Sequence, residues 1–400
     1  MAKTQPSRST AYSDERFAHP FFVSDPPAAR APQNGHKRML DFNRANLGRV
    51  PPPARNQGKL SLADVIGATG ANEIQTAGEL RFHALGDSGV NHATEAEAVA
   101  EQMARAFDPN AGGKNPAFLF HLGDVVYGNL KDDHYGERFY RPYMHYPGKI
   151  VAIPGNHDGE VKVDADKPSL KAFLANFCAP AAVVPPQAAS SAIFRKTMTQ
   201  PGVYWMMDAP FARIIALYSN IAEGPGFLEG KTDQGQPDTS QIDWLTARLK
   251  EIAAADRISP KALILAMHHP PFSQGSHNGS GDMLQQIKTC CAAAGVWPHA
   301  ILSGHAHNYQ RYTWKISVDN KPAEVPCIVA GTGGIGTQRV VPATGQKVDE
   351  AVYVKALQSY GFLTVAINAK KLTIAFWPSN GAANKAYETI SVDLKKRKVV

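Results

Sequence analysis

Five short runs carry side chains able to hold metal ions: Gly86-Asp87-Ser88-Gly89, Gly123-Asp124-Val125-Val126-Tyr127, Gly155-Asn156-His157-Asp158, Met267-His268-His269-Pro270 and Gly304-His305-Ala306-His307. Their donors are carboxylate, phenol, amide and imidazole, a mixture of hard and borderline ligands. Taken singly each run is weak, because Gly-Asp and Gly-His pairs are common in turns. Five in order along one chain, each behind a stretch that reads as a strand, point to a single site built from strand ends. Aspartate is the residue such a site needs most, since its two oxygens can bridge a pair of cations about 3.5–4 Å apart.

The elements that would position these runs can be read from the apolar pattern. Leu80–Leu85 and Ala117–Leu122 are strands, and between them a helix opens at Thr94, with Glu97 at capping-box spacing and Val99, Met103 and Phe107 on one stripe. Strand, helix, strand implies a parallel pair with both aspartates just past the carboxyl ends, where open α/β sheets place their ligands. Further strands are expected at Lys149–Ile153, Phe211–Tyr218, Ala262–Met267 and Ala300–Ser303, with a helix after Ser240 whose Ile242, Leu245, Leu249 and Ile252 share a face. Val325–Ala330, Phe362–Ile367 and Leu372–Phe376 follow without helices, and predict a second sheet packed on the first with helices outside.

Composition narrows the class. The chain has 400 residues, 44% hydrophobic and 19% charged, ordinary for a globular protein and unlike a disordered chain or coiled coil. No apolar run is long enough for a membrane span, so no membrane partner is expected. The net charge of +7 sits at the ends: residues 1–60 carry +6, Lys395-Lys396-Arg397-Lys398 adds +4, and residues 61–394 sum to −3. Basicity confined to solvated termini argues against nucleic acid as a partner. Cys178, Cys290, Cys291 and Cys327 are too few and wrongly spaced for a disulfide framework. Together with an N-terminus lacking an apolar signal core, this predicts a cytoplasmic protein, periplasmic or secreted only if a leader has been removed. Residues 1–60 hold eight prolines and read as an extension, with Phe17, Phe21, Phe22 and Phe42 as candidate contacts to the main domain. The expected division is a basic, proline-rich extension over 1–77, a catalytic domain over 78–380, and a C-terminal segment with a basic tail over 381–400.

The five runs resemble the metallophosphoesterase signature, and specifically that of its purple acid phosphatase branch: GDxG, GDxxY, GNHD or GNHE, VxxH and GHxH. The run Gly304 to Arg311, GHAHNYQR, is similar to the branch's GHxHxYER, with Gln310 in place of Glu. Other metallophosphoesterases carry Asp-x-His at the first motif; Gly89 takes that His position here, and Tyr127 would supply the replacement ligand. The resemblance spans roughly residues 80–380 and implies an α/β fold, a four-layer α/β/β/α sandwich of two packed mixed sheets flanked by helices. Plant members carry an extra β-sandwich ahead of this domain, for which residues 1–77 are too short and too rich in proline.

Carried over position by position, the resemblance implies one ion held by Asp87, Asp124, Tyr127 and His307, and another by Asp124, Asn156, His268 and His305. The first set is oxygen-rich and suits Fe(III); the second, with a neutral amide and two imidazoles, suits divalent Fe, Zn or Mn. His268 is preferred to His269 as the ligand because the family's H-x-P spacing fits it. The implied reaction is attack on a phosphate monoester by a metal-bound hydroxide. His157 is the candidate acid for the leaving alcohol, with Asp158 orienting its ring, and His277, in a Gly/Ser-rich loop, is a further phosphate-binding or proton-donating candidate. The expected substrate is a small phosphate ester. A phosphodiesterase or phosphotriesterase on the same fold, or a non-catalytic metal-binding protein, are the alternative readings. His83 and His121, inside strands, are read as structural.

Overall fold

The computed structural model describes residues 47–89, 94–127, 134–161, 167–379 and 385–400. In it the apolar runs become two large mixed sheets. One runs in the order Lys59–Ser61 (β1), Trp205–Asp208 (β5), Ala212–Leu217 (β6), Ala262–Met267 (β9), Ala300–Ser303 (β10), Lys321–Ala330 (β12), Tyr309–Val318 (β11), Ala351–Leu357 (β14) and Lys347–Val348 (β13). The other runs Lys398–Val399 (β18), Glu388–Asp393 (β17), Lys371–Pro378 (β16), Gly361–Ile367 (β15), Leu80–Leu85 (β2), Phe118–His121 (β3) and Lys149–Ala152 (β4). Gly230–Lys231 (β7) and Pro237–Asp238 (β8) make a small separate hairpin.

The longer helices are Leu62–Ala77 (α1), Thr94–Ala104 (α2), Lys171–Phe177 (α3), Ser240–Asp256 (α4) and Gly281–Ala294 (α5). Strand periodicity explains the layering. Leu80, Phe82 and Ala84 of β2 and Ala262, Ile264 and Ala266 of β9 meet in one core between the sheets. The alternate residues face outward: Leu85 packs with Val99, Ala100 and Met103 of α2. Leu263, Leu265 and Met267 pack with Leu245, Leu249 and Ile252 of α4 and with Met283 and Ile287 of α5. A strand buried on both faces is apolar throughout, as β9 is, while β2 carries the exposed Arg81 and the buried His83 on its outer face. Each fully buried side chain of this size contributes about 1.5–3 kcal/mol. The result is the expected four-layer α/β/β/α sandwich.

The parallel connections carry the site. Strands β2, β3 and β4 are parallel in one sheet, and β6, β9, β10 and β12 are parallel in the other. All five runs lie at the carboxyl ends of β2, β3, β4, β9 and β10.

One expectation is corrected. The late strands do not form a sheet of their own: β12 pairs with β10, while β15 pairs with β2, so they extend both sheets. Residues 59–77, assigned to the extension, are a strand beside β5 and a helix. Ser61 and Asp64 cap α1 reciprocally, and Gly67 breaks it at φ +81, which weakened its helical pattern in the sequence. Residues 388–399, within the segment read as C-terminal with a basic tail, include β17 and β18. Glu388 pairs with Arg311 at 2.7 Å, and Arg397 donates to the carbonyls of Trp297 and Pro298. Lys395 and Lys396 are exposed, as read. The candidate contacts of Phe17, Phe21, Phe22 and Phe42 lie outside the described residues. Cys290 and Cys291 face the core from α5, and all four cysteines are free thiols.

Candidate metal centre

Strand ends bring the donors together by leaving the backbone in an uncommon conformation. Asp87, Asp124 and His305 all have positive φ, at +64, +51 and +68. Such angles cost energy in non-glycine residues and are held only where surrounding contacts over-determine them. Here the contacts are visible: Asp87 N–H donates to Gly123 O at 2.9 Å, and His305 N–H donates to Asp87 Oδ2 at 2.9 Å. The Gly331–Gly334 run closes on the same loop, with Gly333 N–H donating to Gly86 O at 2.8 Å.

The first group of donors is Asp87, Tyr127 and His307. The Tyr127 hydroxyl donates to Asp87 Oδ1 at 2.9 Å and lies 3.3 Å from His307 Nε2, which is 3.6 Å from Asp87 Oδ1. The second group centres on Asn156, whose Oδ1 is 3.1 Å from both His268 Nε2 and His305 Nδ1. Asp124 joins them, with Oδ2 3.4 Å from His268 Nε2. The seven residues named as ligands therefore converge. His268 Nδ1 donates to Leu122 O at 2.9 Å, and His307 Nδ1 to Gly336 O at 3.2 Å, so each ring turns Nε2 toward the aspartates. His269 is held otherwise: Ser219 Oγ and Ala222 O occupy its two nitrogens at 2.7 Å each. It is not among the converging donors.

These donors suit cations. Asp87 and Asp124 are fully buried side by side. Burial, reinforced by the neighbouring Asp124 charge, pushes Asp87 up to about 7. For Asp124 burial works in the same direction, but His268 and His157 outweigh it and hold the carboxyl well below its usual range. His268 in turn rises to about 9: burial opposes its charged form, and Asp124 and Asp87 overcome that. The cluster therefore draws positive charge inward, and Asp87, Asp124 and His268 present ligand atoms within 4.8 Å of one another. Two buried aspartates flanked by oxygen-rich and nitrogen-rich donors fit metal ions.

The glycines of the motifs are there for close approach. A Cβ at Gly89 would overlap the Val125 carbonyl, and Tyr127 N–H donates to Gly89 O at 2.8 Å. The absence of a His at this position and the presence of Tyr127 are thus one feature, since the Tyr127 loop occupies the space. A Cβ at Gly155 would overlap Asp124 Oδ1.

His157 follows Asn156 in a short helix, Asn156–Gly159, and its backbone N–H donates to Asp124 Oδ1 at 3.0 Å. Its ring lies 4.6 Å from that of Tyr127, between centroids. The expectation that Asp158 orients this ring is corrected. Asp158 accepts three backbone N–H bonds, from Gly155 at 2.8 Å, Val125 at 3.1 Å and Val126 at 3.2 Å, and so staples two motif loops together. The carboxylate on the His157 ring is Glu160, 3.2 Å from Nδ1, while Glu223 lies 3.9 Å from Nε2 and accepts from Asn156 Nδ2 at 3.1 Å. Burial disfavours the His157 imidazolium, but Asp124, Glu160 and Glu223 outweigh it and raise the group to about 10. His277 arrives from its loop with its ring 4.3 Å from His305 and 5.7 Å from His307, and Gln338 Nε2 is 2.8 Å from its Nε2.

Sequence reading missed Glu160, Glu223 and Gln338. Glu160 had a signal, one helical turn after His157; the other two lie in loops with no local pattern. His83 and His121 are buried against Tyr146 and Ser88, as structural residues would be.

Fold and site together define a class, two-sheet α/β sandwiches that gather metal-type donors at the ends of their parallel strands. A family model described as calcineurin-like phosphoesterase matches residues 80–309, and the chain belongs to that family. A comparison with curated proteins finds no match. Among solved structures, the chain is similar to the purple acid phosphatase PPD1 from yellow lupin (Lupinus luteus) seeds. That match has 14% identity and a TM-score of 0.55, covering 79% of this chain and 54% of the lupin chain. It is also similar to GAP50, the anchor in the inner membrane complex of Plasmodium, at 15% identity and a TM-score of 0.53, covering 80% of this chain and 90% of that one. The chain thus spans about half the length of the lupin protein. At these identities the likeness is one of fold. Among the described residues, no helix is long and apolar enough to cross a membrane.

Proposed function

We propose that the protein hydrolyses phosphate monoesters with a dinuclear centre of the purple acid phosphatase type, Fe(III) beside a divalent Fe, Zn or Mn. The observation that carries this reading is the Tyr127 hydroxyl, set between Asp87 and His307, with the backbone of its own loop packed where a side chain at Gly89 would stand. Burial and then the two aspartates hold the Tyr127 phenol far above its ordinary value. Its phenolate form therefore calls for a strongly Lewis-acidic partner such as a trivalent ion. Asp87, Asp124, Tyr127 and His307 would hold that ion, and Asp124, Asn156, His268 and His305 the divalent one. When bound, such a pair supplies an activated water near neutral pH and a clamp for phosphate oxygens.

The chain's own residues do the rest. Asp124 fixes the His157 loop through the His157 N–H, and Glu160 takes the Nδ1 side of the ring, leaving Nε2 to deliver a proton to the leaving oxygen. His277 stands over His305 and His307 as a further contact for the phosphate.

The test is metal analysis with a visible spectrum. The purified protein is expected to hold two metal ions and to show a tyrosinate-to-iron charge-transfer band that Tyr127→Phe abolishes. A colourless protein with a full complement of zinc alone would defeat the mixed-valence assignment. Rates on matched aryl mono-, di- and triesters test the substrate class, and a strong diester preference would replace the monoester reading with a phosphodiesterase. Because a fold can serve as an anchor as well as an enzyme, as the GAP50 likeness illustrates, turnover itself is the discriminating measurement against a non-catalytic role.

A further inference from the structure

Gln338 lies in the loop that crosses the last motif, where its N–H donates to His307 O at 2.9 Å. The neighbouring Val340 bridges to Gly275, so the same loop also holds the His277 loop. Its side-chain orientation follows from its partners. Oε1 accepts from the backbone N–H of His307 at 3.2 Å and from the Ser276 hydroxyl at 2.7 Å. A backbone N–H can only donate, so the carbonyl end of the amide must face His307. The NH2 end must then face His277 Nε2, 2.8 Å away. An amide N–H needs a lone pair to donate to, and in a neutral imidazole the nitrogen offering one carries no proton.

We propose that Gln338 is a positioning residue that holds His277 as its neutral Nδ1–H tautomer, so that His277 serves the phosphate as a hydrogen-bond donor and not as the acid for the leaving group. This rests on the phosphoester-hydrolase reading and deepens it by dividing labour between two histidines. His157, with carboxylates beside its ring, carries the proton that moves. His277, with an amide donor against one nitrogen, keeps its single proton on the other. The family resemblance points to His277 but is silent on Gln338, which lies 61 positions away.

The tautomer can be read without turnover. In the full chain loaded with zinc and labelled with 15N-histidine, NMR is expected to show His277 unprotonated at Nε2 and protonated at Nδ1. Gln338→Glu keeps an oxygen for His307 N–H and Ser276 but cannot donate to His277, and is expected to move the proton to Nε2. Inorganic phosphate should then bind about ten- to a hundred-fold more weakly, with KM rising more than kcat falls. In a His277→Ala background the same change should cost no further phosphate affinity. A wild-type His277 protonated at Nε2 would overturn the proposal, as would a Gln338→Glu variant with unchanged tautomer and phosphate affinity. Because neither readout requires hydrolysis, an inactive protein with the expected tautomer would count against the proposed function alone.

Discussion

Asp158 shows how a side chain beside a catalytic candidate can have a purely architectural task. Its carboxylate is buried and satisfies three backbone N–H groups in two separate motif loops. Leaving a buried donor unpaired costs about 1–3 kcal/mol, so Asp158→Ala is expected to destabilise the fold by about 3 kcal/mol or more. Urea denaturation would measure this, and the same variant should bind metal more weakly because Asp124 and Asn156 lose their common support. An Asp158→Ala protein of native stability, with activity reduced in the manner of a His157 variant, would instead restore the ring-orienting role. Gln310 is a second example. Its Oε1 accepts from Gln274 N–H at 2.9 Å and Tyr312 Oη at 2.7 Å, while its Nε2 donates to Ser273 Oγ at 3.2 Å and Asn308 Oδ1 at 2.8 Å. A glutamate, the residue of the resembled motif, has no donors when ionised. Gln310→Glu should therefore lower stability by about 2–4 kcal/mol, visible as a lower Tm.

Between elements, the decisive contact is that of the β2 and β3 end loops. Gly89 and the Val125 carbonyl touch so closely that any Cβ displaces one loop from the other, and the Tyr127 N–H bond to Gly89 O goes with it. Overpacking of this kind costs about 1–3 kcal/mol. Gly89→Ala is thus expected to lower the urea midpoint and, because Tyr127 shifts, to weaken or move the charge-transfer band. An unchanged spectrum would show that Tyr127 is placed independently of Gly89. The parallel strands behind these loops fix where each donor begins, and the antiparallel additions β15 to β18 only widen the platform.

For the whole molecule, buried histidines make stability depend on pH. Burial lowers His83 to about 3 against an ordinary 6.5, so between those values the unfolded chain binds a proton that the folded one refuses. Its contribution is complete above pH 6.5 and is lost as pH falls toward 3, at about 1.4 kcal/mol per pH unit. Asp87 and Asp158, both raised to about 7, work in the opposite direction over part of this window. The His83 effect is therefore isolated by comparison: His83→Phe should lose less stability than wild type between pH 6.5 and 5, by about 2 kcal/mol. Parallel losses in the two proteins would contradict the assignment.

The strands, their carboxyl-end loops and the convergence of Asp87, Asp124, Tyr127, Asn156, His268, His305 and His307 were legible in the chain itself. Periodicity encodes which residues are buried, and motif spacing records which ones leave a strand end together. Other features depended on residues distant in sequence. The C-terminal strands joined an existing sheet because an edge beside β2 was there to be paired, which no local pattern reports. Asp158 faces backbone donors and not the His157 ring because the loop after β3 folds over it. Gln338 meets His277 across 61 positions because two loops without a motif cross above the site. Local sequence determined the donors and the strands that carry them; only tertiary contact decided which groups lie against those donors and which hold their loops.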